Sequence, residues 1–499
     1  MQRRLNDRAP LWRDCGLATD WVGRFDSGKN KGQYGMRWTC FAMAALLLAG
    51  CGAASGPGVT KTASDVDALT LPAPRTPFAP VAGLAVQRPN PEIAQDFLDL
   101  EFHLESGQAL PLLTRFEGPV TLAMTGAVPP SARGDLVALI ARLRAEAGLD
   151  LTLLPDGSPA MLTLDFERRA VLRGLDPTAA CFVVPNVGSL AEYRRWRGAA
   201  DLNWATLRQR RRATLFLPSD TSPQEIRDCL HEETAQALGP VNDLYRLPDS
   251  VFNDDNFQSV LTGFDMLMLR LHYAPELASG MSQAEVAALL PGLLARLNPQ
   301  GDGGAQWALA ATPRIWLDQV SLAANGSAPV GLRQAAAERA LAVALDQGWQ
   351  DNRLGFAYYI RARLEAPKDA GAPGTAYDAA EADYAASARI YETLPDGGVH
   401  LAHALMQLAA IALAKGQDDR AIALADQALP LARLAQNAAL VATLMLLKAG
   451  AFAASGQDAA AEALRLDTLA YARYGFGAEP EMRARAAEIA VLVRQDNPG

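Results

Sequence analysis

The chain has 499 residues, of which 50% are hydrophobic and 20% are charged, a composition that excludes wholesale disorder and predicts several buried cores. Five histidines and five cysteines are too few for a metal-rich or disulfide-dense protein. The formal net charge of −9 argues against nucleic acid as a partner, because neutralising phosphates requires clustered lysines and arginines.

The N-terminal region contains the pattern of a secretory signal peptide. Residues 36–51 read MRWTCFAMAALLLAGC, a short basic start followed by an apolar run and then small residues before a cysteine. The run is shorter than the roughly 20 apolar residues that a membrane-spanning helix needs. The ending Leu48-Ala49-Gly50-Cys51 resembles a bacterial lipobox. The resemblance implies that Cys51 carries lipid, including palmitate, and becomes the mature N-terminus; an ordinary signal peptide with an incidental cysteine is the alternative.

A lipid anchor at Cys51 would place the protein in the cell envelope, facing the periplasm, with the membrane as one partner. The residue after the cysteine is Gly52 rather than an acidic residue. By the usual sorting pattern of lipoproteins, this favours the outer membrane over the inner membrane. Residues 1–35 form a polar extension ahead of the 36–50 signal peptide. Translation therefore starts at either Met1 or Met36.

Two further cysteines remain in the predicted mature chain, Cys181 and Cys229. An even pair in an oxidising compartment predicts a Cys181–Cys229 disulfide. The alternative is a pair of buried free thiols.

Residues 51–90 are rich in Gly, Ala, Ser, Thr and Pro without apolar periodicity, which predicts a flexible tether. Residues 91–300 mix strand and helix patterns and predict one α+β layer domain. A helix is predicted over 131–147, and Ser222-Pro223-Gln224-Glu225 forms a predicted capping box that begins a long helix ending at Gly239. Asp156-Gly157 is a predicted turn. Strands are predicted at 120–124, 151–154, 160–166, 181–184 (an edge strand) and 213–217.

Residues 301–499 are rich in alanine and leucine and carry a repeated pattern of helices. Small or apolar residues recur at offsets of 4 and 3, with units 43, 41 and 40 residues apart. Such spacing lets neighbouring helices pack closely. The units resemble long tetratricopeptide repeats and imply an all-α array of helical hairpins with a groove for a protein or peptide partner; a plain helical bundle is the alternative. The repeated residues are Ala337/Leu341/Ala344, Ala380/Tyr384/Ser387, Ala421/Ala425/Ala428 and Ala461/Arg465/Thr468.

The segment 229–243 resembles the metal-binding helix of zinc peptidases. In those enzymes two histidines at i and i+4 bind zinc, a glutamate at i+1 is the general base, and a third ligand follows a glycine. With His231 as the first ligand, position i+4 is Ala235, which cannot bind metal. If the pattern is shifted by one residue, so that Glu232 is the first ligand position, the glycine and the general base fall where the pattern expects them. None of the three ligand positions is then a histidine. That register reads Glu232, Glu233 (base), Gln236, Gly239 and Asn242 (third ligand), with Asp243 beside it.

These substitutions predict that no zinc is bound, because amides are poor zinc ligands. Together with a helix near 262–273 similar to the closing helix of secreted zincins, the pattern resembles an uncharacterised bacterial family of zincin-like lipoprotein domains. The retained polar residues are interpreted as a structural relic, and a Ca²⁺ or Mg²⁺ site or a hydrolase using Glu233 are alternatives. They are Glu232, Glu233, Gln236, Asn242, Asp243, Asp254 and Asp255.

For two other features, a structural role is the favoured interpretation. His231 is predicted to be a packing or surface residue rather than a metal ligand. The run Arg208, Arg210, Arg211 and Arg212 is interpreted as a solvated loop, with contact to anionic lipid or glycan as the alternative.

The sequence thus predicts an envelope lipoprotein with a degenerate zincin-like α+β domain followed by a tetratricopeptide-like array. The favoured function is non-catalytic binding or scaffolding, without a cofactor or bound metal. The alternative is an atypical envelope peptidase or other hydrolase using Glu233 as general base.

Overall fold

Residues 74–79, 86, 88–177, 179–302, 310–367 and 374–493 are described by the structure, a computed structural model. The predicted upstream extension (1–35), the signal peptide (36–50) and Cys51 lie outside these residues. The described residues all belong to one compact unit.

A five-stranded sheet forms the centre of the first half of the chain, and each strand falls where the sequence predicts one. The spatial order is β2-β1-β3-β5-β4; β4 pairs antiparallel with β5, and the other pairs are parallel. The predicted edge strand β4 is therefore confirmed. The turn at Gly157 forms, with φ +76°, but β2 and β3 do not pair because β1 lies between them. The strands are β1 (Val120–Gly126), β2 (Leu151–Leu153), β3 (Leu162–Glu167), β4 (Phe182–Pro185) and β5 (Ala213–Pro218).

Seven helices pack around this sheet on its two faces. Alternation along β5 sends Leu215 and Leu217 into the main core and Phe216 into a smaller core against α3, α4 and β4. Helices α3 and α4 were not predicted from the sequence, because seven residues each are too few to show a helical period. The helices are α1 (Asn90–Glu101), α2 (Ala132–Glu146), α3 (Arg169–Leu175), α4 (Leu190–Trp196), α5 (Pro223–Leu238), α6 (Gly263–His272) and α7 (Gln283–Leu297).

The second half of the chain is an array of helices in two layers. The repeated residues of the sequence pattern lie on α9, α11, α13 and α15, and all of them are buried except Arg465. Gly416 and Gly456 turn the chain between helices with φ +69° and +75°. Helices α8, α10, α12, α14 and α16 form the second layer. The helices are α8 (Arg314–Ala324), α9 (Val330–Asp346), α10 (Asn352–Glu365), α11 (Asp378–Thr393), α12 (Gly398–Ala414), α13 (Asp418–Leu434), α14 (Ala438–Ala454), α15 (Asp458–Gly475) and α16 (Glu479–Leu492).

None of the helices in the described ranges combines the length and the apolar character needed to cross a membrane.

The predicted tether (51–90) is attached to the folded body over the residues that the structure describes. The Phe78 ring lies 5.5 Å from that of Tyr471 on α15, and Val86 is buried. Arg88 forms a 2.6 Å ion pair with the buried carboxylate of Asp96. Apolar and ionic contacts therefore hold Phe78, Val86 and Arg88 against the folded body.

The start of α5 is bonded to the turn between α13 and α14. The Gln224 amide donates to Asn437 Oδ1 at 2.9 Å and accepts from the Ala439 amide at 2.8 Å. Arg227 donates to the Gln436 carbonyl at 2.8 Å. These groups are largely buried, so leaving one unpaired would cost about 1–3 kcal/mol. The α/β half and the array are therefore joined at this point.

A second contact between the halves buries a carboxylate, and this burial makes the stability of the fold depend on pH. Tyr474 on α15 donates a 2.9 Å hydrogen bond to Asp135 on α2, and burial raises the pKa of Asp135 to about 6 from 3.8. Because the folded state binds this proton more tightly than the unfolded state, the stabilisation is complete below about pH 4 and is lost as the pH rises through about 6.

We expect Asp135→Asn to remove this component of the pH-dependence, worth up to about 3 kcal/mol between pH 4 and pH 7. Urea unfolding at several pH values measures it as the difference between variant and wild type. Asp346→Asn, at an exposed position on α9, controls for the loss of a charge. Parallel stability curves for wild type and Asp135→Asn would contradict the assignment.

Candidate functional site

The helix that the sequence singled out, α5, begins with half of the predicted capping box. The Ser222 hydroxyl accepts a hydrogen bond from the Glu225 amide at 3.2 Å, and Pro223 occupies the first turn. The Glu225 carboxylate instead pairs with Arg169 of α3. The start of the helix was predicted correctly. The second hydrogen bond of the predicted capping box, from the Ser222 backbone amide to the Glu225 carboxylate, does not form.

The end of α5 is held by two side chains from other elements. Arg210 donates to the carbonyls of Gln236 and Ala237 at 2.9 and 2.8 Å, and the Tyr273 hydroxyl donates to that of Leu238 at 2.9 Å. Helix ends leave such carbonyls without intrahelical partners. Arg210 is buried and lies over the Trp204 ring at 4.8 Å. The interpretation of Arg210 as part of a solvated loop is therefore wrong.

The middle of α5 is joined to the sheet edge by the predicted disulfide, which is confirmed: Cys181, next to β4, is bonded to Cys229. Cys229, Glu232 and Glu233 occupy positions i, i+3 and i+4 and thus share one side of the helix. A carboxylate oxygen of each glutamate and Cys181 Sγ all lie within 4.8 Å of one another. A sulfur in a disulfide is not a thiolate, so it is not a zinc ligand in this state.

Burial differs between the two glutamates at this position. Glu233, at the general-base position of the zinc-peptidase register, is fully buried. Glu232, at the first ligand position, is partly exposed. We call Glu232 and Glu233, together with the adjacent disulfide between Cys181 and Cys229, the acidic face of α5.

The histidines of the described residues do not join the acidic face in a common cluster of potential ligands. His231 Nδ1 accepts from the Leu261 amide at 3.1 Å, and burial lowers its pKa well below the usual value, so it is a neutral packing residue. His272 Nδ1 lies 2.7 Å from Glu101 Oε1. His103 lies in a β-bridge with Ala109, and His400 and His403 lie on α12.

The remaining predicted ligand positions also have other environments. Asn242, at the third-ligand position, donates its amide to the carbonyl of Asp99 in α1 at 2.9 Å. Gln236, at the second ligand position, is buried. The Asn242 side chain is therefore bonded to a neighbouring helix.

A separate cluster of three partly buried carboxylates lies in the loops around α5. Oxygens of Glu105, Asp243 and Asp254 are all within 4.8 Å of one another. Asp243 and Asp254 belonged to the predicted polar set, whereas Glu105 follows α1 and was missed, since nothing in the sequence links it to residues so distant. Oxygen ligands of this kind suit Ca²⁺ or Mg²⁺ better than zinc, so these three residues are the ones that could hold a hard cation.

Asp255, next to that cluster in sequence, has a different role. It is fully buried, and its Oδ2 lies 2.9 Å from Asn253 Nδ2, 2.7 Å from Asn352 Nδ2 on α10 and 2.8 Å from His400 Nε2 on α12. We call these four residues the Asp255 junction. It joins the loop after α5 to the array.

An aromatic contact reinforces the Asp255 junction. The Phe257 ring stacks on that of His403 at 4.5 Å and meets the Tyr359 ring edge-on at 5.0 Å. Burial lowers the pKa of His403 to about 3, so this imidazole is neutral at physiological pH. The loop after α5 thus inserts an aromatic side chain into the core of the array.

Apart from the buried Gln236, the predicted polar set therefore divides among four environments. Glu232 and Glu233 face the disulfide, Asn242 bonds to α1, Asp243 and Asp254 join Glu105, and Asp255 binds the array.

Comparison with known proteins places a family on part of the chain. Residues 90–292 match the family model described as "Protein of unknown function (DUF2927)". The match covers the sheet and helices α1–α6 with most of α7, and it stops before the array. Searches of curated proteins and of solved structures found no match to the chain.

We expect Asp255→Asn to destabilise the fold by about 2–5 kcal/mol. The substitution removes a buried anion and places an amide among the donors that now point at Oδ2. Urea unfolding with far-UV circular dichroism measures the loss.

Asp254→Asn is the matched control, since it makes the same change one residue away at a partly exposed position with neighbouring carboxylates. It should leave stability within about 0.5 kcal/mol of wild type or raise it. Equal losses in the two variants would show that the Asp255 junction has no special role.

Proposed function

We propose that the protein is a non-catalytic binding or scaffold lipoprotein of the bacterial cell envelope. Its zincin-like domain lacks zinc ligands, and its tetratricopeptide-like array carries the surface for a protein or peptide partner. The observation that carries this proposal is the acidic face of α5. It places Glu232 and the buried Glu233 beside a disulfide. Glu232 occupies the first ligand position, where a zinc peptidase would present an imidazole to the metal, and Glu233 occupies the general-base position.

The sheet supports the zincin-like interpretation of the first domain. An antiparallel edge strand, β4, lies beside β5, and the long helix α5 follows β5 directly. Gly239 ends the helix at the expected turn, where an added Cβ would lie 2.7 Å from Leu269 Cδ2. This arrangement matches the strand and helix order on which the sequence resemblance rests.

The array supports the tetratricopeptide-like interpretation through its small residues. Ala337, Ala380, Ala421 and Ala461 occupy the same position in four successive units, and each is fully buried. Small side chains at these positions allow adjacent helices to approach closely, as in stacked helical repeats.

The array's second layer is partly covered by the chain itself, which bears on where a partner binds. Tyr245 and Phe257 of the α/β half pack against α10 and α12, and α16 packs on α12 and α14. The outer helices, α9, α11, α13 and α15, together carry five leucines that are each at least half exposed. Among the described residues, the second layer has two apolar side chains exposed to this degree, Ile315 on α8 and Val491 on α16. We therefore place the partner contact on the outer helices rather than in an inner groove. The exposed residues are Leu332 and Leu345 on α9, Leu434 on α13, and Leu466 and Leu469 on α15.

A metal and activity assay separates this function from the hydrolase alternative. The full chain carrying Cys51→Ser should contain far less than one zinc per chain by elemental analysis and should not cleave peptide substrates above background. Glu233→Gln should change neither result. One zinc per chain, together with peptidase activity that Glu233→Gln abolishes, would establish the hydrolase.

Restoring the missing imidazoles tests the zincin-like geometry directly. The triple variant Glu232→His, Gln236→His and Asn242→His should gain one bound zinc, because it recreates two histidines at i and i+4 with a third after the glycine. Gln334→His with Glu338→His on α9 is the matched control: it makes an i, i+4 pair without the third position and should bind zinc much more weakly. Equal binding by both variants would contradict the zincin-like interpretation.

The anchor has its own test. Labelled palmitate should be incorporated into the wild-type chain and not into Cys51→Ser. Incorporation into the serine variant would reject Cys51 as the lipidated residue.

A further inference from the structure

An arginine-rich surface surrounds α4 and the loop that follows it. Residues 190–212 contain seven arginines and two acidic residues, in a chain whose net charge is −9. One of the seven, Arg210, is buried at the end of α5. The other six are exposed together with Trp196, and we call these seven side chains the arginine surface: Arg194, Arg195, Arg197, Arg208, Arg211, Arg212 and Trp196.

Contacts across the segment make this one surface. Arg212, next to β5, pairs with Glu192 of α4 at 2.5 Å, and Arg197 donates to the carbonyl of Leu175 at 2.5 Å. Arg208 and Arg211 line a cavity of about 520 Å³ together with Asn186. The backbone amide of Asn186 in turn bonds to the Arg212 carbonyl at 2.9 Å, so the cavity and α4 are connected through Arg212.

Most of the positive charge on this surface is not neutralised. Among the described residues, none of Arg194, Arg195, Arg208 and Arg211 forms an ion pair within 4.0 Å, although Arg194 interacts electrostatically with Glu167 at a longer distance. The cavity also contains Glu117 and Asp201, but Glu117 is already bonded to Arg115 at 3.1 Å and to the Ser279 amide at 2.8 Å. An isolated group of guanidinium ions on an acidic protein is complementary to an anionic partner.

Trp196 makes the surface suited to a membrane in particular. Its side chain is 49% exposed, and the Arg195 guanidinium lies 5.1 Å from the centre of its ring. Tryptophan and arginine are both favoured at the water–lipid boundary, where the indole lies at the level of the headgroups. A large aromatic side chain left in water beside arginines would gain apolar contact at such a boundary.

We propose that the arginine surface docks the folded body onto a bilayer of anionic phospholipids. The guanidinium groups bind headgroup phosphates, and Trp196 inserts at the interface. The choice of a membrane over another polyanion rests on the proposed lipid anchor, which would keep this surface within reach of a bilayer. Docking would fix which side of the protein faces the membrane.

Flotation with lipid vesicles tests this proposal. The protein is the full chain carrying Cys51→Ser, so binding does not depend on the anchor. We expect it to float with phosphatidylcholine vesicles that contain phosphatidylglycerol, to stay unbound with phosphatidylcholine alone, and to dissociate as NaCl is raised. Trp196 fluorescence, obtained as the difference from Trp196→Ala, should shift to shorter wavelength on binding.

The key variant replaces Arg194, Arg195, Arg208 and Arg211 with glutamine. Each arginine near an anionic surface raises the affinity for vesicles about fivefold, so the loss of four should lower it on the order of 500-fold. The matched control replaces four exposed arginines of the array, Arg389, Arg433, Arg465 and Arg483, and should bind as the parent does. Thermal unfolding verifies that both variants keep the fold.

Equal vesicle binding by the two variants, or equal binding to phosphatidylcholine alone, would overturn the proposal, and so would failure of the parent to float. Because the anchor is absent from every protein in this experiment, its outcome is independent of the palmitate result. A chain that lacks lipid at Cys51 but floats through its arginines would refute the anchor and leave the surface intact.

Discussion

The buried carboxylate of Asp255 connects the two halves of the molecule. It accepts bonds from the loop after α5 and from two helices of the array, and the residue is 0% exposed. A buried anion of this kind is stable only while its donors stay in place. The position of the array is therefore coupled to that of the loop, and through the loop to the end of α5.

Helix α5 is fixed at three points along its length. Gln224 bonds its start to the array, the disulfide joins Cys229 to the residue that precedes the edge strand, and Arg210 holds its last carbonyls. In a zinc enzyme the metal connects such a helix to the loop that follows it. Here hydrogen bonds such as that from the Leu261 amide to His231 make this connection. Helix α5 and the loop that follows it are therefore held together by contacts within the protein.

Local patterns predicted local structure well and long-range contacts poorly. The five strands and the limits of α5 followed from apolar runs and capping residues, and the disulfide followed from an even cysteine count. Glu105 could not be assigned to Asp243 and Asp254, because no local pattern links residues more than a hundred positions apart. Arg210 was misjudged because a run of arginines usually lies in solvent, whereas helix-end carbonyls of α5 and the Trp204 ring surround this one.

The last unit of the array, on α15, combines a departure from the repeat pattern with exposed apolar side chains. Arg465 replaces an apolar residue of the pattern, and its side chain is 47% exposed, which is typical of a terminal repeat that has no following repeat to cover it. On the same helix, however, Leu466 and Leu469 are 60% and 50% exposed. These two leucines belong to the surface proposed above for the partner, whereas Arg465 lies in water beside them.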